Sequence, residues 1–376
     1  MGPMNRTKIS AVQLAALIIG SRMMMSYTFL PVVTLPPANQ DTWIVSIVAA
    51  IFLTVLSIPM MYIVNKNKGK TDLEVAESLF GKVLGKTAAC LFVVFSLFCF
   101  FSCILMDVVF LKSSIFPETP TWGFAVYILI PIAYTAYRGI GTIGRVGTLI
   151  VFYIAMTILL FFLLSLSDMD LNNLRPILAD SRIVDIGHGA FLDAATKSEV
   201  FFFFVLGYFL EDKSKINHIF FAEIIINLVF ELLMVIPTLS VLGVELSKHA
   251  TNAYFLFTKQ ISAYDFIQRV ESLNVLAWFL GSLLRSSIFC FMASYVLSSV
   301  FGKKKKNQFV IPFCILLGII LMLPSVATSG TIDVLISPSV MPWIIFPFAF
   351  LVPSTMAVIS IVRNKLAKRK KAGGTD

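Results

Sequence analysis

Charge is scarce in this chain, and the scarcity falls in blocks. Only 14% of the 376 residues are Asp, Glu, Lys or Arg, against 58% that are hydrophobic. That is too little polar surface for a soluble enzyme of this length. Histidine is limited to His188, His218 and His249, far apart and at the ends of apolar runs or in loops. The five cysteines, Cys90, Cys99, Cys103, Cys290 and Cys314, lie inside apolar runs. They offer no external disulfide and no paired metal-ligand spacing. No metal, no cofactor and no nucleophile–base constellation is therefore expected. Apolar–polar alternation is also missing: "CLFVVFSLFCFFSCILM" and "FCILLGIILMLP" are continuous, which excludes the strands of a transmembrane barrel. No small-residue cleavage site follows the first apolar run, so it reads as a retained helix rather than a signal peptide. The opening "MGPM" has the look of an expression scar, and Arg6 stands where myristoylation would need Ser or Thr.

Long apolar runs are what the chain does have. At helical rise about 20 residues cross the hydrocarbon core, and ten segments meet or approach that length: 9–31, 43–64, 87–111, 122–137, 147–166, 190–210, 219–242, 276–300, 309–326 and 343–362. The expected fold class is an all-α integral membrane protein with ten transmembrane helices, one transmembrane domain over 1–376, and a basic tail at 363–376.

Basic residues are held on the cytoplasmic side of a membrane. With the N-terminus inside, 21 of the 30 Lys and Arg fall inside, six fall outside (Lys112, Arg175, Arg182, Lys248, Lys259 and Arg269) and three fall within the membrane. Both termini are then cytoplasmic. The net charge of +9 is spread over many short loops, which suits anionic lipid and calls for no nucleic acid. "GIGTIG" at Gly139–Gly144 matches the dinucleotide-binding pattern. It lies between two membrane spans rather than in a βαβ unit, and reads as a tight basic loop flanked by Arg138 and Arg145.

A charge at the bilayer centre costs at least about 2.5 kcal/mol and faces a partner or a cavity. Three basic residues, Arg22, Lys197 and Arg285, and three acidic ones, Asp193, Glu199 and Glu231, lie that deep, while Asp107 and Glu223 lie near span ends. Glu199 and Glu231 are the expected partners of the three cations. Two readings stand side by side: the pairs lock helices together, or some of them line a polar pathway. Position bears on the choice. Gly20-Ser21-Arg22 falls mid-way in the first span and "DAATKSEV" (Asp193–Val200) mid-way in the sixth. Ten spans divide into halves of five, 9–166 and 190–362, and an odd number of spans inverts the second half. Helices broken at corresponding places of inverted halves point to a midplane binding site. The expected site is Gly20, Ser21, Arg22 and Met24 from the first span with Ala194, Thr196, Lys197, Ser198, Glu199 and Phe203 from the sixth. Its backbone groups would bind the charged ends of a zwitterion, while Met24 and Phe203 would shape an apolar part. Lys197 would either engage a ligand carboxylate beside Glu199 or merely pair with Glu199.

The opening "ISAVQLAALIIGSRMMMSYTFLPVV", followed by "PPANQDTWI", resembles that of endospore germination permeases, the B subunits of nutrient-germinant receptors. The resemblance continues through "DLEVAESLFGKVLGK", "YRGIGTIGRVG", "LRPIL" and "RVESLNVLAWFLGSLLR". That family is similar to the amino acid-polyamine-organocation transporters, which implies a leucine-transporter-like five-plus-five inverted repeat with helices one and six broken. It further implies nutrient sensing with A and C subunits in the inner membrane of a bacterial spore. A self-sufficient proton-coupled transporter of amino acids or amines is the alternative. Where relatives carry a Pro-Phe-Gly-Glu-like element this chain has "TKSE", so Lys197 is a departure and ligand preference does not carry across.

Overall fold

Ser10 and Gln13 open the first helix: Gln13 N donates to Ser10 Oγ at 3.2 Å and Ser10 N to Gln13 Oε1 at 3.0 Å. This reciprocal cap satisfies two donors that a helix start leaves free. The structure is a computed structural model describing residues 8–29, 38–115, 118–179, 181–250, 252–261, 270–322, 337 and 339–372. The "MGPM" opening, Arg6, Arg269, Pro31 at the end of the first expected span, Val326 at the end of the ninth and residues 373–376 of the tail lie outside the described residues.

The described chain is helical. Its membrane-length and shorter helices are α1 (Ala11–Phe29), α2 (Thr42–Lys66), α3 (Asp72–Phe80), α4 (Lys82–Ser114), α5 (Thr121–Arg138), α6 (Ile140–Ser165), α7 (Ile183–Ala195) and α8 (Val200–Leu206). They continue with α9 (Ile216–His249), α10 (Ala253–Gln260), α11 (Glu271–Val300), α12 (Val310–Met322), α13 (Met341–Phe346), a π turn (Pro347–Leu351) and α14 (Val352–Ala372). Among the described residues six helical stretches are long and apolar enough to cross a membrane, and α1 and α12 are apolar but shorter. The protein is thus a multi-pass membrane protein. No named strand occurs among the described residues. One extended contact ties Ile9 to the segment that follows α8, with Ile9 N donating to Phe209 O at 2.9 Å and Glu211 N to Ile9 O at 3.0 Å.

Helices α4 and α11 pack along each other, and α1 lies against α6, α9 and α11. Aromatic side chains fill the space between α4 and α8: Phe92 and Phe95 meet the Phe201 ring at 4.9 and 5.6 Å between centroids. Such pairs add about 1 kcal/mol each beyond burial. Helix α7 packs on α2, and α12 on α5.

Two expectations need correction. Helix α1 runs unbroken through Gly20 and Ser21. A glycine costs a helix only about 1 kcal/mol, and here it serves close approach: a Cβ at Gly20 would sit 2.7 Å from Val151 Cγ2 and 2.8 Å from Leu284 Cδ2. The "GIGTIG" segment is not a loop either. Only Gly139 turns, at φ 87, and α6 starts at Ile140. That left-handed conformation is open to glycine at little cost, and it joins α5 to α6 without a linker.

Candidate functional site

The chain between α7 and α8 leaves the regular hydrogen-bond ladder. Lys197 N donates to Ala194 O at 3.1 Å, Ser198 N to Thr196 O at 2.9 Å and Phe201 N to Ser198 O at 3.0 Å, so bonds spanning two or three residues replace the four-residue pattern. Thr196 Oγ1 donates to Asp193 O at 2.7 Å. Hydroxyl side chains that compete for backbone partners favour such an interruption.

Charged side chains of four helices converge on it. Arg22 of α1 places Nη2 2.8 Å from Asp193 Oδ1 and 4.0 Å from Glu231 Oε2 of α9, and Nη1 donates to Thr196 Oγ1 at 3.4 Å. Lys197 Nζ lies 2.9 Å from Asp193 Oδ2 and 3.5 Å from Glu231 Oε2. Two cations thus share two carboxylates. Beside them Arg285 of α11 pairs with Glu199. Its Nη1 donates to Ser21 O at 3.2 Å and to Ser21 Oγ at 3.1 Å, and its Nη2 donates to Ser198 Oγ at 2.9 Å. Arg285 therefore ties α1 and the α7–α8 junction to α11. All these side chains are buried, and buried charges are tolerable only when paired in this way.

A cavity adjoins the junction, lined on its polar side by Arg22, Ser46, Lys197, Glu199, Glu223, Asn227 and Glu231, and on its apolar side by residues such as Leu53 and Leu228. It offers about 20 Å³, room for a water molecule and not for an amino acid. The conformation described is closed around this site.

The structure brings Ser21, Arg22, Thr196, Lys197, Ser198 and Glu199 together. Of these, Arg22, Lys197 and Glu199 line the cavity. Gly20 is packed against Val151 and Leu284, and Ala194 is in the core. Met24 Sδ lies 4.0 Å from Cys103 Sγ, and the Phe203 ring meets Phe220 at 5.7 Å, so neither borders the cavity. The expected pairing of Lys197 with Glu199 gives way to Lys197 with Asp193. Near-helical backbone puts residues four apart on one face, while Glu199, two residues further, turns to Arg285. The i,i+4 spacing of Asp193 and Lys197 was the signal for this pair, and Glu223 with Asn227 carries the same one. Asp107, which accepts a hydrogen bond from Ser282, had no sequence signal for its partner, 175 residues away.

With this geometry in hand, comparisons with known proteins give a consistent result. The family model described as "Spore germination protein" matches residues 8–329. Spore germination protein KB of Bacillus subtilis (strain 168) is 23% identical over 264 residues, covering 69% of each chain. Spore germination protein XB of Bacillus anthracis is 22% identical over 327 residues, 84% of this chain and 88% of the relative. YndE, a spore germination protein of Bacillus subtilis (strain 168), is 24% identical over 305 residues, 79% and 82% of the two chains. Among solved structures, a substrate-bound, outward-open Na+-coupled sialic acid symporter superposes with TM-score 0.58 at 14% identity, over 90% of this chain and 79% of that one. MhsT in complex with L-phenylalanine superposes with TM-score 0.53 at 11% identity, over 94% and 97%. At such identities these likenesses speak of the fold alone, which is that of the leucine-transporter-type proteins.

Proposed function

The chain belongs to the spore germination protein family, and from that premise we propose that it is the transporter-like membrane subunit of a spore germinant receptor, sensing a small zwitterionic nutrient. An amino acid fits first. The observation that carries this reading is the junction where Arg22 and Lys197 share Asp193 and Glu231 beside a cavity. A zwitterion brings one charge of each sign, so its carboxylate can take over a guanidinium or ammonium while its own ammonium takes over a freed carboxylate. Exchange of internal pairs for ligand pairs keeps the interior neutral, as a low-dielectric site demands. Gly20, Met24, Ala194 and Phe203 then form packed walls that part when the cavity enlarges, and Ser21, Thr196 and Ser198 supply hydrogen bonds around it.

A ligand signals only through different affinities for two conformations. A hundredfold preference corresponds to about 2.7 kcal/mol, sufficient to bias an assembly. The reading includes ten crossings in two inverted halves, 9–166 and 190–362, with both ends of the chain and the tail from 363 on the basic, cytoplasmic side of the spore inner membrane. Partner A and C subunits receive the signal, and anionic lipid meets the basic loops. The alternative is a self-sufficient proton-coupled transporter of amino acids or amines, favoured by the inventory of buried ionisable groups. The two separate on purification from spore membranes. Co-purifying subunits support the receptor, whereas a lone chain that moves a labelled amino acid in liposomes supports the transporter. Lys197→Ala, at unchanged protein level, should shift the amino acid dose-response curve at least tenfold. An unshifted curve would place the ligand elsewhere.

A further inference from the structure

The interior charges do not balance. Arg285 is matched by Glu199, and Arg22 and Lys197 by Asp193 and Glu231. Two buried carboxyls of membrane-spanning helices are left over, Asp107, which accepts from Ser282, and Glu223. Glu223 is 4% exposed, lies in the membrane-spanning part of α9, and lines the cavity. Among the described residues no lysine or arginine nitrogen forms an ion pair with it within 4.0 Å. Its hydrogen bond is with Asn227, whose Nδ2 donates to Glu223 Oε2 at 2.9 Å. The other end of the same carboxamide, Asn227 Oδ1, is buried and has no donor. An anionic carboxylate without a cation is strongly disfavoured in such surroundings, and an unsatisfied buried acceptor adds a further penalty. One hydrogen atom removes both penalties.

We propose that Glu223 is a proton-binding site of this protein: its carboxyl is neutral in the closed conformation and gives its O–H to Asn227 Oδ1, so that acid and amide pair reciprocally. The charged groups facing it across the cavity are Arg22 from α1, Lys197 and Glu199 from the α7–α8 junction, and Glu231 from α9, while α2 contributes Ser46, Ala50 and Leu53, none titratable. Release is a simple dissociation: the O–H bond breaks, the electron pair stays on the carboxylate, and the proton passes to water in the cavity. The carboxylate left behind requires a cation. Proton and a cationic ligand group are therefore alternative occupants, and entry of one expels the other. By linkage the pH then sets cation affinity, and the cation sets proton affinity, to the same degree.

The test uses the full chain in lipid nanodiscs and infrared spectroscopy of the protonated-carboxyl C=O stretch at neutral pH. A band lost in Glu223→Gln and kept in Asp107→Asn is the expected result. Ethylammonium chloride should bleach that band, and sodium chloride at equal ionic strength should not. A spectrum unchanged by Glu223→Gln overturns the assignment. A band that survives ethylammonium overturns the exchange, and a band bleached equally by sodium overturns its selectivity for an ammonium. If Glu223→Gln does not fold, Asn227→Leu keeps the question open to measurement, because loss of the amide partner should move the band to the frequency of a more weakly bonded carboxyl. No shift there counts against the proposal. The first readout needs no nutrient, so the proton site and the receptor reading stand or fall separately.

Discussion

Asp193 holds more of the junction than any neighbouring carboxylate, since it is the nearest acid to both Arg22 (2.8 Å) and Lys197 (2.9 Å). Its removal leaves two buried cations facing Glu231 alone. Breaking a buried pair on one side costs about 3–5 kcal/mol. Asp193→Asn should accordingly lower the melting temperature of the detergent-solubilised protein by several degrees. Adding Lys197→Met to it should recover part of the loss, because one cation fewer is then stranded. A double variant whose loss equals the sum of the two single losses would show that the two side chains do not share a charge environment. At this scale the sequence was only half legible. Depth marked Arg22, Lys197, Arg285, Asp193, Glu199 and Glu231 as functional or paired, but which acid meets which base depends on helices brought together from positions as far apart as 22 and 285.

Helix α3 shows how much a short element can carry. Thr71 Oγ1 accepts from Glu74 N at 3.2 Å and Glu74 Oε2 from Thr71 N at 2.8 Å, the reciprocal cap written as T-D-L-E in the sequence. Asp72, inside that cap, is buried, and burial raises its carboxyl from the usual range to about 6, with its own and Leu73's backbone N–H groups and the Lys306 charge pulling the other way. Burial in turn lowers the Lys306 ammonium, an effect the Asp72 charge opposes. The sign follows from linkage. Between about pH 4 and about pH 6 the folded protein binds the proton that the unfolded chain has released, so stability falls as pH rises through this window. Asp72→Asn should remove that slope and leave the variant more stable than wild type at pH 7, by an amount on the order of 2 kcal/mol. Thermal melts of both proteins at pH 4 and pH 7 check it, and a wild-type slope of opposite sign would refute it. The burial of Asp72 was not readable in the sequence.

For the whole molecule the decisive question is which loops share a side of the membrane. In the proposed ten-crossing arrangement Lys68 and Lys304 belong to the basic end of the bundle, and Arg182, 82% exposed and bonded to Asp185 at 2.7 Å, to the other. In a chain whose five cysteines are replaced, single cysteines at Lys68 and Lys304 should react with an impermeant maleimide from one side of sealed vesicles, and a cysteine at Arg182 from the opposite side. Labelling of Lys68 and Lys304 from different sides would rule out the ten-crossing arrangement. The architecture also ties the last described helix to the first half of the chain. Lys66 Nζ donates to Ser360 Oγ at 2.6 Å and Arg363 Nη1 to Ser78 O at 2.9 Å, fastening α14 to α2 and α3.

Sequence by itself determined that this chain lives in a membrane as helices, because hydrocarbon admits only helices and closed barrels and these continuous apolar runs lack the alternation of barrel strands. It also marked the family and the segment Asp193–Glu199 as irregular, through clustered hydroxyl and charged residues where a membrane helix tolerates few. Tertiary structure alone decided the rest. Gly20 became a contact point instead of a break because Val151 and Leu284 arrive beside it. Lys197 turned to Asp193 because the backbone stays near-helical across the interruption. Glu223, placed by its sequence near a span end, became an unmatched carboxylate at the cavity because, among the described residues, the buried cations Arg22, Lys197 and Arg285 are already held by other acids.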